Sequence, residues 1–364
     1  MSLLNFHQLT VRSVQAEADD ALVLAFDVPA EWQSLYHFQP GQYLTLRGTV
    51  AGQEQRRSYS ICAGPADGLR VGVRRVKGGV FTGWLHSQVK AGDGLQVMPP
   101  QGRFGAVLAQ RPQRVLAVAA GSGITPILSI VKALLAGDPW ARCTLVYGNR
   151  TAASTMFKEE LEDLKNRYLT RFSLHTVFSQ EDVDAPLNRG RINAHKLATV
   201  LRLTGTVDAV FVCGPHAMND EVQAALLALG VAPGCLHIER FGAPPGLDFS
   251  STQASPSPSP PQSQSHARDA PQARLRIVRD GMAREVPFAS GDENILAAAM
   301  RAGLDMPYSC RSGVCATCRA RVLEGAVRME RNFALEPAEL EAGFVLTCQA
   351  QPLSERVVLS FDDR

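Results

Sequence analysis

Four cysteines in the last quarter of the chain are spaced for metal chemistry. Cys310, Cys315 and Cys318 stand in YSCRSGVCATC as C-x4-C-x2-C, and Cys348 follows in VLTCQAQ after 29 intervening residues. Such thiols could close disulfides, hold zinc or hold an iron–sulfur cluster. Structural zinc sites use two C-x2-C knuckles or Cys/His pairs. Here there is one C-x2-C, an x4 loop before it, a lone fourth cysteine and no histidine after His266. The pattern is that of four thiolates around a [2Fe–2S] cluster, with Ser312 and Gly313 free to wrap it. Cys62, Cys143, Cys213 and Cys235 are scattered through apolar stretches and read as core thiols, Cys213 being the exception because it opens CGP.

A cluster takes electrons one at a time, so the chain upstream must supply them. RRSYSIC (56–62) reads as an extended strand with Arg57 and Tyr59 on one face and Ser58 and Ser60 on the other. Arginine suits a pyrophosphate, tyrosine lies against a planar ring, and a serine hydroxyl donates to a ring nitrogen. In VKGGVFTGWL (76–85), Gly78 and Gly79 let backbone N–H groups cradle phosphate, with Thr82 beginning a short helix. AVAAGSGITPILSIVKALL (117–135) reads as strand, glycine turn and helix. Gly121 and Gly123 allow close approach to a phosphate, and Pro126 sits in the first helical turn. YGNRT (147–151) and CGPHAMN (213–219) end strands of the same sheet, where ligands bind. Arg150 is placed to fork onto a 2′-phosphate, and Ser154 to add a hydroxyl. Taken singly, each feature also fits a plain part: a tight βα turn, a solvated arginine, a packing tyrosine or a hairpin glycine pair.

Together, R-x-Y-S, the glycine-pair turn, G-S-G-I-T-P and C-G-P resemble the ferredoxin–NADP reductase superfamily, here fused to a plant-type ferredoxin. The resemblance implies an FAD-binding barrel beside a nicotinamide-binding α/β domain. It implies that Arg57, Ser58, Tyr59 and Ser60 contact the flavin and that Val76, Gly79, Val80 and Thr82 surround its pyrophosphate. Gly121, Thr125, Cys213, Gly214 and Pro215 would line the nicotinamide nucleotide. Phe241 in IERF would cover the isoalloxazine, although a buried core phenylalanine fits the same place. Ser60, Thr125 and Cys213 are the residues expected nearest the chemistry. A nicotinamide gives two electrons as hydride and a cluster takes single electrons, so a flavin between them is chemically required. No Ser-His-Asp pattern is present.

The elements that must position these groups follow the same division. Alternating runs at 21–28, 42–48, 57–62, 69–76 and 93–100, punctuated by Gly, Pro and Asp, predict an antiparallel β-barrel over residues 1–111. Apolar strands at 114–120, 143–149, 172–178 and 208–214, with helices at 126–136, 155–168 and 216–229, predict a parallel-sheet α/β domain over 112–243. Residues 244–272, rich in Ser, Pro and Gln, read as a flexible linker. Residues 273–364 read as a [2Fe–2S] module, for which the ferredoxin resemblance implies an α+β fold, opening with a hairpin about Asp280–Gly281 and a helix over 294–304.

The 364 residues carry a net charge of +2, which gives no field directed at nucleic acid or membrane. The amino-terminal residues lack the pattern of a secretory leader, and the apolar run from Val115 is broken by Gly-Ser-Gly and Pro126. A reducing cytoplasm is expected, where structural disulfides are rare. In the last module, 12 arginines face 13 acidic residues, so Arg311 and Arg319 read either as a solvated face or as groups that tune the cluster or dock a partner.

The order flavin, nicotinamide, ferredoxin resembles reductase components of multicomponent oxygenases. YGNRTAASTMFKEELEDLKNRY, GVCATC and LEPAELEAGFVLTCQA resemble the reductase family of phenylacetyl-CoA 1,2-epoxidase. That likeness implies NADPH as donor, FAD as flavin and di-iron oxygenase subunits as acceptor. Another oxygenase, a hybrid-cluster protein, or a redox sensor using only the cluster are the competing readings.

Overall fold

The structure is a computed structural model that describes residues 4–242 and 273–363. The expected linker lies outside the described residues. The chain divides into two compact units, Leu3–Phe241 and Gly242–Arg364.

The first unit opens with six antiparallel strands: β1 (His7–Ala16), β2 (Ala21–Asp27), β3 (Tyr43–Val50), β4 (Gln53–Ser60), β5 (Leu69–Arg74) and β6 (Gly94–Val97), with helix α1 (Val80–Gln88) after β5. Their order is β4-β3-β6-β1-β2-β5, and a bridge from Ile61 to Val71 brings the two edges together. Closing a sheet removes the unpaired edges that invite aggregation. Leu9, Leu24, Leu44, Leu46, Val71 and Val73 fill the interior at full burial. Strand β1 was not expected from the sequence: its apolar alternation is broken by a register shift between Val11 and Ser13. Strand β4 starts at Gln53, earlier than expected, because the β3–β4 hairpin runs on as a polar tip. Ala51 and Gly52 turn it at φ +51° and +75°.

The same unit continues as five parallel strands: β7 (Arg114–Ala120), β8 (Arg142–Asn149), β9 (Phe172–Phe178), β10 (Ala209–Gly214) and β11 (Leu236–Arg240). Helices α2 (Ile124–Gly137), α3 (Lys158–Arg167), α4 (Ala194–Thr204) and α5 (His216–Ala228) connect them. The order β11-β10-β7-β8-β9 reverses direction between β7 and β10. A crevice for a ligand opens at such a reversal, beyond the strands' C-terminal ends.

Helix α3 begins three residues later than expected. Phe157 sits at φ +56°, and its N–H donates to Glu17 Oε1 of the barrel at 2.6 Å. A distant carboxylate thus stops a helix that local propensity would have extended. Helix α4 was missed, although Asn193 caps it by accepting from the Lys196 N–H at 3.0 Å. Strand β11 was also missed; it adds to the sheet edge beside β10.

The two halves of this unit pack at named points. Thr125 Cγ2 comes within 2.8 Å of where a Cβ on Gly72 would stand, with Phe157 and Met156 next to it. Ser129 donates to the Ala63 carbonyl at 2.7 Å. Arg70 pairs with Glu160 across the halves, and Lys132 pairs with both Asp67 and Glu160.

The second unit has β12 (Ala273–Arg279), β13 (Met282–Phe288), α6 (Ile295–Arg301), β14 (Arg319–Glu324), β15 (Val327–Met329), α7 (Pro337–Glu341), β16 (Phe344–Leu346), β17 (Ala350–Pro352) and β18 (Arg356–Ser360). Five of the strands form a mixed sheet in the order β13-β12-β18-β14-β16. Asp280 and Gly281, at φ +53° and +72°, make the expected two-residue turn, and the Asp362 carboxylate accepts from both of their N–H groups. No helix among the described residues is long and apolar enough to cross a membrane.

Candidate functional site

At the barrel, β4 carries the expected residues in the expected alternation. Ser60 lies opposite Tyr43, Tyr59 opposite Leu44 and Arg57 opposite Leu46. Ser58 shares a hydrogen bond with the Thr45 hydroxyl at 3.1 Å. Arg57 is exposed, held by one bond to the Arg56 carbonyl at 2.8 Å. The Tyr59 ring stacks on Phe81 at 6.3 Å, and its buried hydroxyl has no hydrogen-bond partner among the described residues. Burial pushes that phenol well above its ordinary pKa.

Gly79 caps α1, which begins at Val80 and not at Thr82. The Thr82 hydroxyl instead braces the turn, accepting from the Val76 N–H at 3.1 Å and donating to the Gly79 carbonyl at 3.3 Å. Gly78 stands at φ +73°, and a Cβ on Gly79 would lie 2.7 Å from Thr82 Oγ1. Val76 and Val80, at 60% and 58% exposed, flank the turn. An orphaned phenol, an exposed guanidinium, a helix start with no side-chain cap and two bare valines fit the flavin diphosphate that the sequence calls for.

In the crevice between β7 and β10, Gly121 takes φ +55° and its carbonyl accepts from the Tyr147 hydroxyl at 3.0 Å. Gly123 has a packing reason to be glycine as well. A Cβ there would lie 2.1 Å from the Cys213 carbonyl oxygen, so its missing side chain serves turn-to-strand packing. Gly214 is small for a similar reason, since Met218 Cε would lie 2.5 Å from its Cβ. Pro215 caps α5. Thr125 is buried, and its hydroxyl donates to the Ser122 carbonyl at 2.9 Å. Ser154 likewise commits its hydroxyl within its own turn, donating to the Thr151 carbonyl at 2.9 Å. It is therefore a brace for the turn that follows Arg150 and not an open donor.

Four residues that sequence reasoning missed stand at this crevice: Arg74, Asp20, Asn149 and Glu239. Arg74 Nη1 lies 3.0 Å from where a Cβ on Gly121 would stand, and Arg74 Nε lies 2.9 Å from Asp20 Oδ1. Arg150, 59% exposed, reaches Asp20 Oδ2 at 3.4 Å. Asn149 is buried with neither amide atom hydrogen-bonded among the described residues. Glu239 pairs in register with Cys213, and its buried Oε2 has no hydrogen-bond partner among the described residues. Burial raises the Glu239 carboxyl to about 8, and burial with that neighbouring carboxyl pushes the Cys213 thiol well up. Cys213 is fully buried, so its thiol stays protonated. Phe241 packs partly buried against the core between the barrel and the parallel sheet. Arginine at the free end of a strand was the only local signal for Arg74; the others depend on register.

In the second unit the cysteine loop turns repeatedly through left-handed backbone, at Arg311 (φ +53°), Gly313 (φ +80°) and Ala316 (φ +54°). These turns aim amides inward. Cys310 Sγ accepts from the N–H groups of Ser312, Val314 and Cys315, each at 3.4 Å. The Gln349 amide reaches Cys348 Sγ at 3.6 Å, and Thr347 ties the Cys318 carbonyl at 2.9 Å. All eight cysteines are free thiols. Cys315 Sγ in turn accepts from the Cys310 N–H at 3.4 Å, and Cys348 stands on the segment after β16, outside the 310–318 loop. Among the described residues no three Cys, His, Asp or Glu side chains converge on one ion. A cysteine loop whose amides point at its sulfurs fits an iron–sulfur cluster better than a zinc knuckle. Arg319 is paired with Glu339 at 3.1 Å and lies over the Phe344 ring, while Arg311 lies over Tyr308.

Known proteins share these features. Residues 8–105 match the oxidoreductase FAD-binding domain, 117–224 the oxidoreductase NAD-binding domain and 277–353 the 2Fe-2S iron-sulfur cluster binding domain. The chain is 44% identical over 362 residues to one of the subunits of the 1,2-phenylacetyl-CoA epoxidase of Escherichia coli, covering 98% of each. It is 34% identical over 361 residues to the ferredoxin reductase component of 3-ketosteroid-9-alpha-monooxygenase from Rhodococcus rhodochrous, covering 97% of this chain and 96% of that protein. Phthalate dioxygenase reductase, a modular structure for electron transfer from pyridine nucleotides to [2Fe-2S], matches with a TM-score of 0.59 and 25% identity over 98% of both chains. The chain therefore belongs to the family of FAD- and [2Fe–2S]-containing reductase components of oxygenase systems.

Proposed function

We propose that the protein takes electrons from NADPH in the cytoplasm and delivers them to the di-iron oxygenase subunits of a phenylacetyl-CoA 1,2-epoxidase. The observation that carries the choice of acceptor is the 44% identity to the Escherichia coli epoxidase component, which runs end to end and through all three cofactor regions. The choice of NADPH rests on the guanidinium of Arg150 beyond β8. In this reading residues 1–111 hold FAD, 112–243 hold the nucleotide, 273–364 hold the cluster, and 244–272 join them.

When bound, flavin exchanges electrons in pairs with a nicotinamide and singly with an iron–sulfur cluster. The chain's own residues bind and orient. Arg57 and the Gly79–Thr82 helix start hold the flavin pyrophosphate, flanked by Val76 and Val80. Ser58, Tyr59 and Ser60 line the ring side. Gly121 and Arg74 receive the nucleotide diphosphate, Thr125 and Pro215 shape its nicotinamide end, and Phe241 covers the flavin. Glu239 holds a proton on its carboxyl at neutral pH beside Cys213, so it adds no negative charge to the site. Cys310, Cys315, Cys318 and Cys348 hold the cluster, and the amides around Cys310 Sγ stabilise its negative charge.

Turnover with purified oxygenase subunits tests the acceptor. Epoxidation of phenylacetyl-CoA that requires both this chain and NADPH is expected. Failure with the epoxidase, together with turnover of another oxygenase, would reassign the acceptor. The 34% identity to the 3-ketosteroid monooxygenase component makes a different oxygenase the second reading.

A further inference from the structure

Asp20 comes from the β1–β2 loop of the barrel, yet its carboxylate lies at the parallel-sheet crevice. Its backbone is pinned, with the carbonyl accepting from the Arg75 N–H at 2.7 Å. Oδ1 lies 2.9 Å from Arg74 Nε and Oδ2 lies 3.4 Å from Arg150 Nη2. Arg74 extends this contact in two directions, donating through Nη2 to the Ser154 carbonyl and standing with Nη1 beside Gly121. One carboxylate therefore sits between the guanidinium at the glycine turn and the guanidinium beyond β8. Glu181, another carboxylate at this turn, is engaged with the Ala152 N–H at 2.6 Å.

A carboxylate between two guanidinium groups occupies the electrostatic role of a phosphate. Resting on the reading of Arg150 as the anchor for a 2′-phosphate, we infer that Asp20 is a specificity-determining residue that competes with that phosphate. A phosphorylated ribose must draw Arg150 away from Asp20 or lie within a few ångströms of a like charge. An unphosphorylated ribose does neither, and the diphosphate that meets Arg74 is common to both nucleotides, so the difference in penalty falls on NADPH. Asp20 thereby sets how far the enzyme prefers NADPH to NADH, while keeping both arginines ordered before nucleotide arrives.

Competitive inhibition of the full-length, flavin-loaded protein by adenosine 2′,5′-bisphosphate and by 5′-AMP tests this, using wild type, Asp20→Asn, Asp20→Ser, Asp20→Glu and Arg150→Ala. Removing the carboxylate as Asn or Ser is expected to tighten the bisphosphate about tenfold relative to 5′-AMP. Asp20→Glu is expected to keep the wild-type ratio. Having two neutral variants covers the failure of one to fold, and a merely structural role for Asp20 would shift both inhibitors together. A wild-type inhibitor ratio in Asp20→Asn and Asp20→Ser, with the ratio collapsed in Arg150→Ala, overturns the Asp20 inference and leaves the NADPH reading standing. A wild-type ratio in Arg150→Ala overturns the NADPH reading and the inference with it.

Discussion

The Cys213 carbonyl oxygen lies 2.1 Å from the point where a Cβ on Gly123 would stand. The glycine turn after β7 and the end of β10 are thus in backbone contact, at the reversal point of the sheet. Gly123→Ala cannot be accommodated by moving a side chain, because backbone fills the space. It is expected to destabilise the first unit by about 1–3 kcal/mol and to lower nucleotide affinity while flavin is retained. Denaturation and nucleotide titration of the variant check this; unchanged nucleotide affinity would show that the turn does not shape the crevice.

Arg57 is exposed and held by a single bond to a neighbouring carbonyl. Arg57→Ala is expected to weaken flavin retention about 10- to 100-fold, the range of a lost charge-assisted hydrogen bond. Flavin released on dilution, followed by its fluorescence, measures this. Wild-type retention would remove Arg57 from the diphosphate site.

Glu239 titrates at about 8 in the folded protein, far above an unfolded glutamate. Between the two values the folded state binds more protons, so stability is present at low pH and falls as pH rises toward 8. Glu239→Gln keeps a neutral side chain at every pH. It is expected to match wild type near pH 5 and to exceed it by about 1–3 kcal/mol near pH 9. Denaturant midpoints across that range decide it, and parallel pH profiles would contradict the buried neutral carboxyl.

Cys348 is the proposed cluster ligand farthest in sequence from the other three, 30 residues beyond Cys318. Cys348→Ser is expected to abolish the cluster absorbance and reduction of the oxygenase. Reduction of a two-electron dye by NADPH through the first unit is expected to stay within about twofold of wild type. Loss of both activities would mean that the second unit is needed for flavin chemistry.

Where chemistry depends on neighbours in sequence, it was legible. C-x4-C-x2-C falls inside the matched iron–sulfur domain, R-x-Y-S gave a strand with the expected alternation, and Asp280–Gly281 gave its hairpin. Where chemistry depends on register between distant strands, it was not. Glu239 matters because β11 sets it beside Cys213, and Asp20 because the barrel loop reaches Arg150, 130 residues away. Gly123 also packs against the Cys213 carbonyl, which local sequence could not show because close packing and phosphate approach select the same residue. Ser154 and Thr125 carried plausible hydroxyls that local turns had already claimed. Strand β1 escaped notice because a register shift breaks its alternation, and α3 was overdrawn because Glu17 stops it from afar.

The central claim is a relay along one chain, from nicotinamide through flavin to cluster. Anaerobic titration of the full-length protein with NADPH, followed by visible absorbance, tests it most directly. Flavin and ferric-sulfide bands are expected to bleach together, taking up about three electrons per chain, two for the flavin and one for the cluster. Bleaching of the flavin bands with the ferric-sulfide absorbance left oxidised would contradict the relay.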